Sequence, residues 1–225
     1  MEFNLDDLEK KIVQIPLKPG TKQAVCIAVY DLGTHLEKKF SSCELEEKRS
    51  IVIFWEFPNE QKEIEVFDKE KNEKIKKKFR SQCFQKYSFF VSEGSNLGKL
   101  LKNWLGTDGL MKLADKNKNI SFRNLLGVNA LVNVEVKEVQ NKKGDMIQVY
   151  KLNSVAGTLP ETKDFKPIRT SYFSFKEFPE QPIPPDIPEW IRNKILTSKE
   201  YKESCGLSSS VTVDEILSDS EEVPF

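Results

Sequence analysis

Apolar and polar positions alternate along much of the first half of the chain, the period of strands rather than helices. From Lys22 to Leu32, Val25, Ile27 and Val29 point one way and Ala24, Cys26, Ala28 and Tyr30 the other, which predicts a strand that Gly33 stops. A polar loop over 34–48 leads to a second strand, Arg49 to Phe57, closed by Pro58-Asn59. Its positions Ile51, Ile53, Trp55 and Phe57 are all apolar, whereas Ser50, Val52, Phe54 and Glu56 are mixed. A lysine-rich, hairpin-like region follows, with a short strand from Glu63 to Phe67 and a basic run from Lys74 to Arg80. The next strand, Phe84 to Val91, puts Tyr87, Phe89 and Val91 on one face and Phe84, Lys86, Ser88 and Phe90 on the other.

The period then changes. Leu97, Leu100, Leu101 and Trp104 form a helical stripe that Ser95 can cap and Gly106 can end, predicting a helix over 95–105. Shorter helical pieces are expected at 108–114 and 121–126. Two strands close the domain, Ala130 to Val139, with Val132, Val134 and Val136 inward, and Met146 to Val155, joined by a turn at 141–145. Residues 158–188 are rich in proline, with Phe165, Tyr172, Phe173, Phe175 and Phe178 among charges. They read as an extended segment that wraps the strands. Ile187 to Tyr201 forms a last short helix, with Pro188 near its start and Trp190, Ile191 and Ile195 on one side.

Three strands, a helical stretch and two strands follow the order of an OB-fold, a partly open five-stranded barrel. The expected fold is therefore mainly β: an OB-fold barrel with a helical insertion between strands 3 and 4. The expected organisation is an N-terminal extension over 1–21 (a short helix through Leu5, Leu8 and Ile12, ended by Pro16 and Pro19), a barrel over 22–157, a proline- and aromatic-rich extension with a short helix over 158–201, and a disordered acidic tail over 202–225.

Composition changes this picture in one respect. The 225 residues carry 35 basic and 35 acidic side chains, and net neutrality argues against a nucleic-acid binder. From Tyr201 onward, however, there are six acidic residues and one lysine; without them the body has 34 basic residues against 29 acidic, about +5. Cys26, Cys43, Cys83 and Cys205 form no Cys-x-x-Cys pair, and His35 is the only histidine, so neither a zinc site nor any other cofactor is expected. With no secretory signal and no apolar run of membrane-spanning length, a cytoplasmic protein with reduced thiols is expected.

Catalysis finds little support. His35 lies in a polar stretch without a visible partner, phosphate-binding glycine loops are absent, and Asp6, Asp7, Asp31, Glu44, Glu46 and Glu47 are scattered. No enzyme is expected, although carboxylates converging in space leave a metal-dependent nuclease as a distant alternative. Binding finds more. Aromatic rings stack on bases while lysine and arginine follow phosphates, and the middle of the chain interleaves both: Phe54, Trp55, Lys76, Lys77, Lys78, Arg80, Phe84, Lys86, Tyr87 and Phe90. Trp55 and Tyr87 lie on the uniformly apolar faces, which are more often core; Phe54, Phe84, Lys86 and Phe90, on the mixed faces, are the better contacts. Lys142 and Lys143 sit in the turn before the last strand, beside the cleft such a barrel would use.

The sequence ends in Asp219, Ser220, Glu221, Glu222, Val223, Pro224 and Phe225, an acidic arm finishing in one aromatic anchor. This ending resembles the tip of bacterial single-stranded-DNA-binding proteins, with Val223 in place of isoleucine and Glu221 and Glu222 in place of aspartates. The body is similar to bacteriophage OB-fold single-stranded-DNA-binding proteins. The matching stretches are 24–34, 54–58, 96–104, 124–127 with 132–134, and 187–191. The resemblance implies binding of single-stranded DNA with little sequence preference during phage DNA replication or recombination. A polymerase, helicase, primase or recombinase would be recruited through the tail. It implies no particular DNA-contact residue. Homo-oligomerisation stays open, and the alternative is an OB-like interaction protein whose tail mimics a host tip to capture host replication, repair or defence factors.

Overall fold

The computed structural model describes residues 17–39, 44–68, 72–113, 121–140, 144 and 146–206. The short N-terminal helix expected through Leu5, Leu8 and Ile12 lies outside them, as do most of the 141–145 turn and the acidic tail beyond Gly206.

Strands β1 (Gly20–Lys38), β2 (Leu45–Asp68) and β3 (Glu73–Ser88) form an antiparallel meander. Helix α1 (Asn96–Leu113) and a 3-10 turn (Phe122–Leu125) lead to β4 (Asn129–Gln140) and β5 (Met146–Ala156). β4 pairs with the beginning of β1, so the antiparallel order is β3-β2-β1-β4-β5. Where β4 leaves the edge of β1 beyond Val25, a three-residue strand, β6 (Ser171–Phe173), takes its place parallel to Ala28–Tyr30. Two short helices follow, α2 (Glu189–Thr197) and α3 (Lys199–Ser204). Among the described residues no helix is long and apolar enough to cross a membrane.

β1 and β2 run past the ends expected for them, and β3 begins earlier than expected. β1 does not stop at Gly33: the ladder shifts register between Asp31 and Gly33, the glycine takes φ 74°, and pairing resumes from Gly33 to Lys38 against Leu45 to Ser50. The polar stretch 34–48 is therefore mostly strand, because backbone pairing at a bulge tolerates polar side chains. Pro58-Asn59 does not end β2 either. A second irregularity between Phe57 and Gln61 absorbs the proline, and β2 and β3 continue as a paired ribbon out to Asp68 and Glu73. The expected separate pieces 63–67, 74–80 and 84–91 are parts of that ribbon, and β3 ends at Ser88, not Val91. Ser95 does cap α1, its hydroxyl accepting from the Gly98 N–H at 3.0 Å. Gly106, at φ 68°, kinks the helix, which resumes at once and runs to Leu113.

Both faces of the meander are covered. On the inner face Ile51, Ile53, Trp55, Phe57, Cys83 and Tyr87 pack against Leu97, Leu100, Leu101 and Trp104 of α1 and against Val132, Val134, Leu152 and Val155. The Trp104 indole N–H donates to the Asn129 carbonyl at 2.8 Å, which ties the helix to β4. On the outer face Val25, Ile27, Tyr30, Leu32, Val52 and Phe54 pack against Phe173, Ile187, Ile191 and Ile195. The segment after β5 is thus half of a second core.

Polar hooks fix that segment. Asn129 and the Phe165 backbone exchange two hydrogen bonds, at 2.9 and 3.0 Å. Asp31, buried at 2% exposure, accepts from the Phe175 N–H of the segment at 3.4 Å, while Arg49, at 2.6 and 3.2 Å, and the Gly33 N–H, at 3.1 Å, hold the carboxylate within the sheet. Glu200 accepts from the Thr34 N–H and hydroxyl, both at 2.7 Å. A Cβ on Gly33 would lie 2.5 Å from the Ser198 Cβ, so the glycine serves both the bulge and the close approach of α3.

Candidate nucleic-acid interface

The aromatic residues singled out for stacking divide by face. Trp55 is 0% exposed, its ring 6.1 Å from Trp104, and Tyr87 is buried in the same inner core, where burial pushes its hydroxyl pKa up. In this conformation neither can reach a base. Phe54, expected on an open mixed face, is buried as well, at 3% exposure. Strand parity places it correctly on the outer face, but α2 and the preceding segment cover that face because their own isoleucines and phenylalanines need it. Phe84 stands between Phe54, at 4.9 Å, and Trp190 of α2, at 5.1 Å, and is half-buried. Phe90, two residues past β3, is 65% exposed and is the one aromatic of the set open to solvent.

The cations divide in the same way. Along the ribbon Lys76 is paired in register with Glu65, and Lys78 with Glu63, whose carboxylate its ammonium approaches to 3.6 Å. Lys77 points to the opposite face, across from Ile64 and 6.0 Å from the Phe79 ring. The basic run is therefore a two-sided ladder with glutamates interleaved, not a continuous positive stripe. Arg80 is committed to the fold: it donates to the buried Glu56 carboxylate at 2.6 Å and to the Lys166 carbonyl at 3.1 Å. Lys86 is exposed and ion-paired with Glu37. Lys142, Lys143, Asp219, Glu221, Glu222, Val223, Pro224 and Phe225 lie outside the described residues.

Other charged residues join Lys86 at its end of the sheet. Glu37 also meets Lys48, at 3.6 Å. Burial raises the Glu37 carboxyl pKa, but the two lysines outweigh it and the net shift is downward. His35 is the cross-strand partner of Lys48, and its Nε2 lies 3.0 Å from the Leu32 carbonyl. Burial depresses the imidazole pKa, and the positive charges of Lys194 and Lys86 depress it further. The sequence reading missed Lys48 and Glu37 because it placed them in a loop, where strand parity assigns no face. Lys194 and Trp190 stand one helical turn apart, a spacing that could have paired them.

The chain matches no protein-family model and no curated protein. Chemically, the described surface offers ammonium groups, the exposed ring of Phe90 and the partly exposed indole of Trp190. The buried carboxylates Asp31 and Glu56 are each held by an arginine.

Proposed function

We propose that the protein binds single-stranded DNA through an OB-fold-type body, with little sequence preference, in DNA replication or recombination. The observation that carries this reading is the strand order β3-β2-β1-β4-β5 with the helix between β3 and β4, the arrangement expected of an OB-fold barrel. Its β2–β3 ribbon sends Lys76 and Lys78 to one side, in reach of phosphates travelling along the ribbon. The acidic tip, Asp219 to Phe225, would recruit replication or recombination proteins, with Phe225 as the apolar anchor and the carboxylates steering it towards a basic pocket. The test is a band-shift competition in which a labelled single strand is challenged with unlabelled single strand, duplex and RNA of equal length. The reading requires unlabelled single-stranded DNA to compete far better than duplex.

A second reading has its own support. The C-terminal segment covers Phe54, and Glu37, Glu63 and Glu65 face the lysines. A body so screened would serve as a scaffold presenting the tail to host factors. Affinity for single strands that is absent even at low salt, with the tail still capturing partners, would favour the scaffold.

A further inference from the structure

The segment after β5 crosses the outer side of the sheet with its backbone tied down and its cations left outside. Three strands supply the ties. Gln23 of β1 donates to the Lys163 carbonyl at 2.5 Å. Asn129 of β4 exchanges two hydrogen bonds with the Phe165 backbone and also accepts from Gln23 at 3.3 Å. Arg80 of β3 donates to the Lys166 carbonyl at 3.1 Å and to Glu56 at 2.6 Å. Asn129 and Glu56 are the two cross-strand partners of Val25, an outer-face residue, so the segment follows one row across β4, β1 and β2.

With its backbone so engaged, the segment leaves Lys163 and Lys166 exposed. Phe165 between them is half-buried, packs into neither hydrophobic core, and has the Lys163 ammonium 5.6 Å from its ring centre. Lys166 also meets the ribbon. Lys74, Lys76 and Lys78 are exposed on the Arg80 face of β3, one every two residues, or roughly 6.8 Å. Arg80, next in that line, is committed to Glu56, and the Lys166 backbone lies against its guanidinium. The line of cations therefore continues through Lys166 to Lys163. Among the described residues only Lys78 of these five lysines is ion-paired, with Glu63 at 3.6 Å.

We propose that Lys163, Phe165 and Lys166 form a nucleic-acid subsite that extends the ribbon face carrying Lys74, Lys76 and Lys78. The two lysines of the segment take phosphates of a single strand, and the Phe165 ring offers a base a stacking surface. It rests on the single-strand reading above and gives the strand a path from the ribbon onto the proline-rich segment, rather than onto the buried Phe54. Asp164, exposed between the two lysines, and Glu65, cross-strand from Lys76, are the counter-charges that compete with phosphate.

The test is anisotropy titration of a labelled oligo-dT with the full chain over a series of salt concentrations, with denaturant unfolding of each variant alongside. Because backbone hydrogen bonds hold the segment, joint replacement of Lys163 and Lys166 by alanine should leave unfolding as in the wild type. It should lower the slope of log affinity against log salt by up to about 1.4, two counterions at roughly 0.7 each. Phe165→Leu should weaken binding by about 5-fold or more, the loss of one stacked base. Asp164→Asn, which alters none of the backbone ties, should tighten binding, and it decides the matter if the double variant is destabilised. If oligo-dT binds while all three variants titrate as the wild type, the subsite is wrong and the single-strand reading survives. If anisotropy shows no binding at low salt, both fall.

Discussion

Arg80 donates to the Glu56 carboxylate at 2.6 Å, and Glu56 is only 2% exposed. The arginine at the end of a basic run is thus a structural counter-ion, not a hand held out to phosphate. Removing it would strand a buried charge, and breaking such a pair costs about 3–5 kcal/mol when both partners are fully buried. With the Arg80 side chain 24% exposed, roughly 2–3 kcal/mol is the reasonable figure for Arg80→Ala. Denaturant unfolding should show this loss, whereas the salt dependence of DNA binding stays unchanged. A shallower salt slope at unaltered stability would return Arg80 to the phosphate path.

The two-sided ribbon separates Lys76 and Lys78 from Lys77. Double replacement of Lys76 and Lys78 by alanine should lower the slope of log affinity against log salt by up to about 1.4, from roughly 0.7 per released counterion on a single strand. Lys77→Ala should change it less, since Lys77 points to the face shared with Ile64 and Phe79. Equal effects from the two faces would mean that the nucleic acid wraps the ribbon.

Phe54 is a core residue, so Phe54→Ala should cost about 3–5 kcal/mol of stability. Its effect on DNA affinity, measured where the variant is still folded, should be small. A large affinity loss in a variant of near-native stability would show that α2 lifts off the sheet to expose the ring.

Attachment of the C-terminal segment should weaken in acid. Burial pushes the Glu200 carboxyl pKa up, but the Thr34 hydroxyl and N–H, with Arg49, hold it below its ordinary value overall. A depressed carboxylate contributes stability that is fully present above the unfolded value of about 4.3 and is lost as pH falls through the folded value. Hydrogen exchange of amides in 189–204 should therefore accelerate below about pH 4 more than exchange in β1 and β2. In Glu200→Gln that difference should shrink; an unchanged difference would assign the acid response to other groups.

Element types in the body could largely be read from apolar periodicity, because each strand and the helix bury a continuous face. Ser95 with the Leu97, Leu100, Leu101 and Trp104 stripe needed no tertiary information. The strand ends did need it: Gly33 and Pro58 look like terminators alone, and only a partner strand with a matching bulge lets the chain continue past them. Site residues were less legible for the same reason. Parity correctly set Phe54 and Phe84 apart from Trp55 and Tyr87, but parity cannot say that a segment more than 80 residues later in the sequence packs on the face it calls mixed. Nor could it foresee that Glu56 and Glu37 would claim Arg80 and Lys86.

Single-stranded DNA held largely by charge is the function proposed for this fold. Anisotropy titration of a labelled oligo-dT and an equal-length duplex at two salt concentrations tests it most directly. The account predicts clear preference for the single strand and an affinity that falls steeply as salt rises. Equal binding of both forms, or no binding of the single strand at low salt, would contradict it.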